Sequence, residues 1–355
     1  MKSVSLFTSF IALLCFFSCK EQKKETSPTL IIASGKMPAM VKDNSGKLHL
    51  VYGAGDSIMY TYSGDKGFSF SSPELVDTLA ALVASATRGP QITSTQNGLS
   101  IIAADNTGNI FSFIKEQSGK WAKATRVNDV DTTDKEGFLG LSCDGNNNLF
   151  AIWPDLRNDH HNKIYGAGST DGGRSWSKNV MIYTSPDSSV CECCKPSVVM
   201  RGNNVYVMFR NLLNGNRDLY LIQSADGGSS FGEAQKLGTR NWQLDGCPMD
   251  GGGLAVNNRG EVQTVWLRED KIFSAAPGTA EKEIGEGKGC TVETVNGKNI
   301  YAWADNNADI TCLLPDGTKK IIGKGSLPLL KLINEAEVIC VWQQENNIKS
   351  VVIDL

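Results

Sequence analysis

The chain has 355 residues, 41% of them hydrophobic and 21% charged, the profile of a folded globular protein with ample core; disorder and a collagen-like fibre are excluded. Thirty-five Lys and Arg stand against 38 Asp and Glu, a formal net charge of −3 that offers no sustained cationic surface to a phosphate backbone, so nucleic acid is not an expected partner. Its 36 glycines and the lack of helical periodicity predict a long, turn-rich, all-β fold.

The first element is an export signal. Met1-Lys2 supplies a positive start, Leu6 to Phe17 is an apolar run too short to span a bilayer as a stable helix, and Phe17-Ser18-Cys19 places a small residue before Cys. The segment resembles a bacterial lipoprotein signal. That resemblance implies removal of residues 1–18, lipidation of Cys19, a tether over 19–27, and a location in the bacterial cell envelope with the membrane as a partner. A plain cleaved signal without lipid is the alternative.

From residue 28 onward one unit recurs: a Gly/Asn turn, an apolar strand usually ending in an aromatic, a polar loop, a second strand, a turn and a third. Its aromatic-ended strands are His49–Tyr52, Phe150–Trp153, Val205–Phe209, Gln263–Trp266, Ile300–Trp303 and Ile339–Trp342, with Ser100–Ala104 as a weaker copy. Near-continuous apolar strands bounded by tight turns suit sheets covered on both faces by neighbouring sheets, as in a β-propeller. Seven units predict a single domain over 28–355 with seven four-stranded blades, six being the alternative. The last unit shows only three strands, and the run Thr29–Ala33 is placed to close the ring by pairing with the last of them.

Ser169-Thr170-Asp171-Gly172-Gly173-Arg174-Ser175-Trp176 and Ser224-Ala225-Asp226-Gly227-Gly228-Ser229-Ser230-Phe231 resemble the Asp-box, or BNR, hairpin of sialidase-like propellers, and the stretch around Asp65 is a degenerate third copy. In such a turn Asp caps backbone N–H groups and Gly supplies positive φ. The resemblance implies that these boxes lie between third and fourth strands, on the face away from the active site. It also implies, for a true enzyme of the family, a glycoside hydrolase with an arginine cluster for a substrate carboxylate, an Asp acid and a Tyr–Glu pair. Tyr301 falls within a second strand, so that pair is not carried over. Asp245 and Asp134 are the acids left as catalytic candidates, and Asp129, Asp131 and Asp134 together could also form a calcium loop.

Loops joining second to third strands, and fourth strands to the next blade, emerge on one face of a propeller, and the unusual residues fall there. Arg88, Arg157, Arg210, Arg217, Arg240 and Arg268 are candidates to hold an anionic glycan, because each guanidinium donates parallel hydrogen bonds to a carboxylate, and Trp242 is a candidate sugar platform. Cys191, Cys193, Cys194, Cys247 and Cys290 begin three successive blades, whereas Cys143, Cys312 and Cys340 read as buried small hydrophobes. Export makes disulfides the default for the five, and five being odd leaves a thiol over. The alternative is a thiolate site for Cu or Zn, completed by Met249, His160 or His161, or a redox site with a low-pKa thiol. Val190–Cys194, Arg217-Asp218 and Asp245–Pro248 further resemble a subgroup of exported bacterial propellers. Three functional readings follow: recognition or processing of an anionic glycan, a cysteine-centred metal or redox protein, and a protein-binding platform. A monomer is expected.

Overall fold

The structure is a computed structural model that describes residues 26–116, 118–131, 137–187 and 189–355. The signal segment, Cys19 and Asp134 therefore lie outside the described residues.

Seven four-stranded antiparallel sheets follow one another along the chain, so the count is seven blades and not six. Blades 1 to 6 span 36–78, 91–126, 140–183, 197–236, 253–286 and 288–324, each in simple chain order. Blade 7 takes its three inner strands from 326–354 and its outermost from Leu30–Ser34, which pairs antiparallel with Asn347–Asp354, Leu30 opposite Ser350. That pairing closes the ring as expected from the apolar run at Thr29–Ala33, and it ties the start of the domain to its end.

The core follows the same circular logic. Seven apolar clusters each join two adjacent blades, the one between blades 7 and 1 included. Every residue of Leu149–Asp155, the second strand of blade 3, is buried, because neighbouring sheets cover both of its faces. Side chains alternate across that strand: Phe150 and Ile152 pack toward blade 4, Ala151 and Trp153 toward blade 2. The near-continuous apolar runs in the sequence have this origin.

The three turns that resemble Asp boxes share one hydrogen-bond pattern and do lie between third and fourth strands. Asp171 accepts from the Ser169 and Ser175 hydroxyls and the Ser175 N–H, and Asp226 repeats this with Ser224 and Ser230. Asp65 does the same with Ser63 and Ser69, so the degenerate copy is intact where it counts.

The innermost strands carry a second repeated device. In blades 1, 6 and 7 the register shifts at the channel end of the strand, between Lys36 and Ala39, Lys288 and Thr291, and Ser326 and Leu329. Each bulge holds one left-handed residue, Met37, Gly289 and Leu327 at φ 55°, 65° and 53°. Cys290 sits in the blade 6 bulge, inside the strand, whereas its sequence position suggested the connection before it. Cys143, expected to be buried, is half-exposed at the end of its strand, where the Gly145 N–H donates to its sulfur.

Candidate functional site: a sulfur cluster on the loop face

The connection into blade 4 brings three sulfurs together. The Cys191 N–H donates to the Arg210 carbonyl at 3.0 Å, pinning the run Cys191-Glu192-Cys193-Cys194 to the second strand of blade 4. Within it, Cys191 Sγ lies 2.9 Å from Cys194 Sγ and 3.8 Å from Cys193 Sγ. Cys193 is bonded to Cys247, which spans 54 residues and joins the connection into blade 4 to the connection into blade 5. Cys191 and Cys194 are buried free thiols, while Cys247 is exposed and Cys193 half-exposed. One disulfide thus forms among the five loop cysteines, fewer than export would suggest. Cys290 is buried in the channel wall and stands outside the sulfur group.

Two arginines set the electrostatics. Arg210 is 2% exposed and donates to three backbone carbonyls, those of Asp250, Arg217 and Leu267, at 3.0, 2.7 and 3.0 Å. No carboxylate among the described residues pairs with it, so its charge is left to polarise its surroundings. Half-buried Arg217 donates to Cys191 Sγ at 3.3 Å. The Cys194 thiol, donating to Cys191 Sγ, does most to favour a Cys191 thiolate; against the opposition of burial, Arg210, the Cys193 N–H and Arg217 add to it, and the Cys191 pKa falls to about 6. Burial first, and then its donor role to Cys191, push Cys194 well up. The two sulfurs therefore differ in kind, one a thiolate near neutral pH and the other a proton donor.

The remaining expected ligands are mostly committed to internal partners. Arg157 makes a two-pronged pair with buried Asp155 at 2.9 and 2.7 Å, reaches Asp129 at 2.9 Å, and lies over Tyr165. Arg268 pairs with buried Glu281 at 2.8 Å, and Arg88 lies over Phe138. Trp242 is 8% exposed and packs against Arg210, with no open ring face to stack a sugar. Asp131 pairs with Arg126 and Asp129 with Arg157, while Asp134, the third member of the expected acidic loop, lies outside the described residues. Arg240 and Asp245 are exposed. His160 and His161 are exposed on the loop of blade 3 and do not join the sulfurs: the group of potential metal ligands found among the described residues is Cys191, Cys193 and Cys194 alone. Met249, 44% exposed, adopts φ 50° before blade 5.

Two features were missed from the sequence. Cys191 and Cys194 stand at Cys-x-x-Cys spacing, hidden because Cys193 interrupts the motif. Lys195, the next residue, enters the central channel, and an isolated lysine carries no sequence signal of that.

No family model matches the chain, and no curated protein matches it. Among solved structures it is similar to the N-terminal portion of BBS1 in complex with ARL6, at 11% identity and TM-score 0.57 over 94% of this chain and 97% of that one. Virginiamycin B lyase from Staphylococcus aureus follows at 12% identity and TM-score 0.55, covering 93% and 100%. A microbial sialidase, Hz136, aligns at 13% identity and TM-score 0.48, over 91% of this chain and 66% of its own. At such identities the likeness to the first two is one of fold.

Proposed function

We propose that this propeller is a thiol–disulfide redox protein, held in the bacterial cell envelope by a lipid on Cys19. Cys191 and Cys194 form its inner dithiol and Cys193–Cys247 its outward-facing disulfide. The observation that carries this reading is the Cys191 sulfur, set 3.8 Å from the Cys193 sulfur of the disulfide and held by Arg217. Met1 to Cys19 supports the location.

The exchange runs in two balanced steps. Cys191 thiolate attacks Cys193 Sγ; a Cys191–Cys193 bond forms, the Cys193–Cys247 bond breaks, and exposed Cys247 leaves as a thiolate that takes a proton from solvent. Cys194 then attacks Cys191 Sγ, forming Cys191–Cys194 and releasing Cys193, which gains the proton that Cys194 loses. The two electrons of the buried dithiol now reside on Cys193 and Cys247 at the surface, where a disulfide of a partner protein can collect them. The test maps disulfides by mass spectrometry across a series of glutathione redox buffers. The expected result is a shift between the Cys193–Cys247 and Cys191–Cys194 pairings that Cys191→Ser abolishes. Cys193–Cys247 as the one pairing at every buffer ratio overturns the reading.

A second reading, Cu(I) or Zn held by thiolates, is favoured by the three sulfurs of Cys191, Cys193 and Cys194 lying within 4.8 Å of one another. It requires the Cys193–Cys247 bond to be reduced, and stoichiometric metal that is lost in Cys193→Ser would select it. Of the six arginines expected to serve an anionic-glycan site at this face, Arg240 is exposed and Arg88 and Arg217 are half-buried, whereas Arg157, Arg210 and Arg268 are buried or nearly so against internal partners.

A further inference from the structure

The central channel opens into a cavity of about 310 Å³ whose wall takes residues from all seven blades, among them Met37, Gln91, Gly140, Gly253, Cys290 and Leu327. Its size is that of a small-molecule site. Three observations in its wall point to an occupant. Lys195 lies along the wall with its ammonium 3.0 Å from Gln91 Oε1, a neutral amide, and no carboxylate among the described residues pairs with it. Thr87 Oγ1 is buried at the same wall and has no hydrogen-bond partner among the described residues. Finally, Met37, Thr87, Met249 and Leu327, all side-chain-bearing residues of this wall, are held at φ 55°, 71°, 50° and 53°. A left-handed conformation costs such residues about 1 kcal/mol or more each, and for β-branched Thr87 it is an outlier; strain of this kind gathers at ligand clamps.

We infer that the channel is a binding site for one small anion, a carboxylate or inorganic oxyanion, that accepts hydrogen bonds from the Lys195 ammonium and the Thr87 hydroxyl. The chemistry follows from what each group lacks. A half-buried ammonium bound, among the described residues, only to an amide oxygen keeps part of its desolvation penalty, and an anion offsets it. A buried hydroxyl without a partner carries a penalty of its own, and an anion's oxygen is the acceptor it wants. Asp250, a carboxylate of the same wall, is committed elsewhere: its two oxygens accept the Gly252 and Gly289 N–H groups at 2.9 and 2.8 Å, fixing the wall. Gly251 lets that wall close, since a Cβ there would fall 1.8 Å from the Lys195 carbonyl oxygen. Lys195, Gln91 and Thr87 take no part in the sulfur exchange, so this site stands or falls apart from the redox reading.

The test is protection of Lys195 from acetylation by a neutral succinimidyl ester, followed by peptide mapping on the whole protein. Succinate, sulfate and phosphate are added separately, with ionic strength held constant by chloride. Acetylation of Lys195 is expected to slow about tenfold when the bound anion is at about ten times its Kd. Protection by succinate alone assigns a carboxylate, and protection by sulfate or phosphate an inorganic oxyanion. Calorimetric binding of the same probe is expected to vanish in Lys195→Met, persist in Lys195→Arg and weaken about tenfold in Thr87→Ala. Unchanged Lys195 acetylation with all three anions, or binding that survives Lys195→Met, overturns the inference; the labelling arm needs no variant and so decides even if a variant fails to fold.

Discussion

The two ends of the blades use polar residues in opposite ways. At the hairpin end, Asp65, Asp171 and Asp226 each accept from the serines and backbone of their own turn, and every bond spans only a few residues. At the loop end, partners come from far along the chain: Cys193 meets Cys247, Arg210 reaches the carbonyls of Asp250 and Leu267, and Lys195 meets Gln91 across 104 residues. Local closure makes a staple that any blade can carry. Long-range closure depends on the ring, and it leaves charges such as Arg210 without a carboxylate, which is the condition for tuning a neighbouring thiol.

The sharpest break of this contrast is Arg210→Met. It removes the donor to three backbone carbonyls, two of them buried, and at about 1–3 kcal/mol for each buried group left unpaired the protein is expected to lose about 3 kcal/mol, read by urea unfolding. The same variant is expected to raise the Cys191 pKa, coupling stability to chemistry at the loop end. Asp171→Ala, at the other end, removes the acceptor for Ser169 and Ser175 and is expected to cost about 1–2 kcal/mol while leaving Cys191 titration unchanged. A movement of that titration would show that the ends are not independent.

The effect of pH on stability is a third, smaller effect. The Cys191 pKa is depressed in the folded state, so its thiolate stabilises the fold fully above the ordinary thiol value, and that contribution is lost as pH falls through about 6. Wild type minus Cys191→Ser unfolding free energy is therefore expected to rise with pH above about 6 and to flatten in the ordinary thiol range. Arg217→Met should produce the smallest change: a modest upward shift of that pKa, because Arg217 contributes after Cys194, Arg210 and the Cys193 N–H.

Much of the fold was legible because each blade repeats one apolar grammar. Phe150–Trp153 and its counterparts read as strands covered on both faces, and Thr29–Ala33 read as the missing strand of the last blade. The gathering of Cys191, Cys193 and Cys247 on one face was legible too, once the strands were counted. What the residues do there was not. Whether Arg210 points to solvent or to three carbonyls depends on where loops from two other strands end, and no pattern in its own neighbourhood records that. Trp242 is alike: its letters suit a sugar platform and a wall against Arg210 equally, and packing chose the wall. Lys195 was invisible because one lysine beside a cysteine run has no periodicity to betray the channel it enters.

The most direct measurement is the ultraviolet absorbance of thiolate as a function of pH, taken as the difference between wild type and Cys191→Ser with the Cys193–Cys247 disulfide intact. A transition with a midpoint near 6 is the result expected of a sulfur held by Cys194, Arg210 and Arg217. Absence of any transition below the ordinary thiol range, about 8.5, would contradict the claim that the ring has assembled a reactive sulfur there.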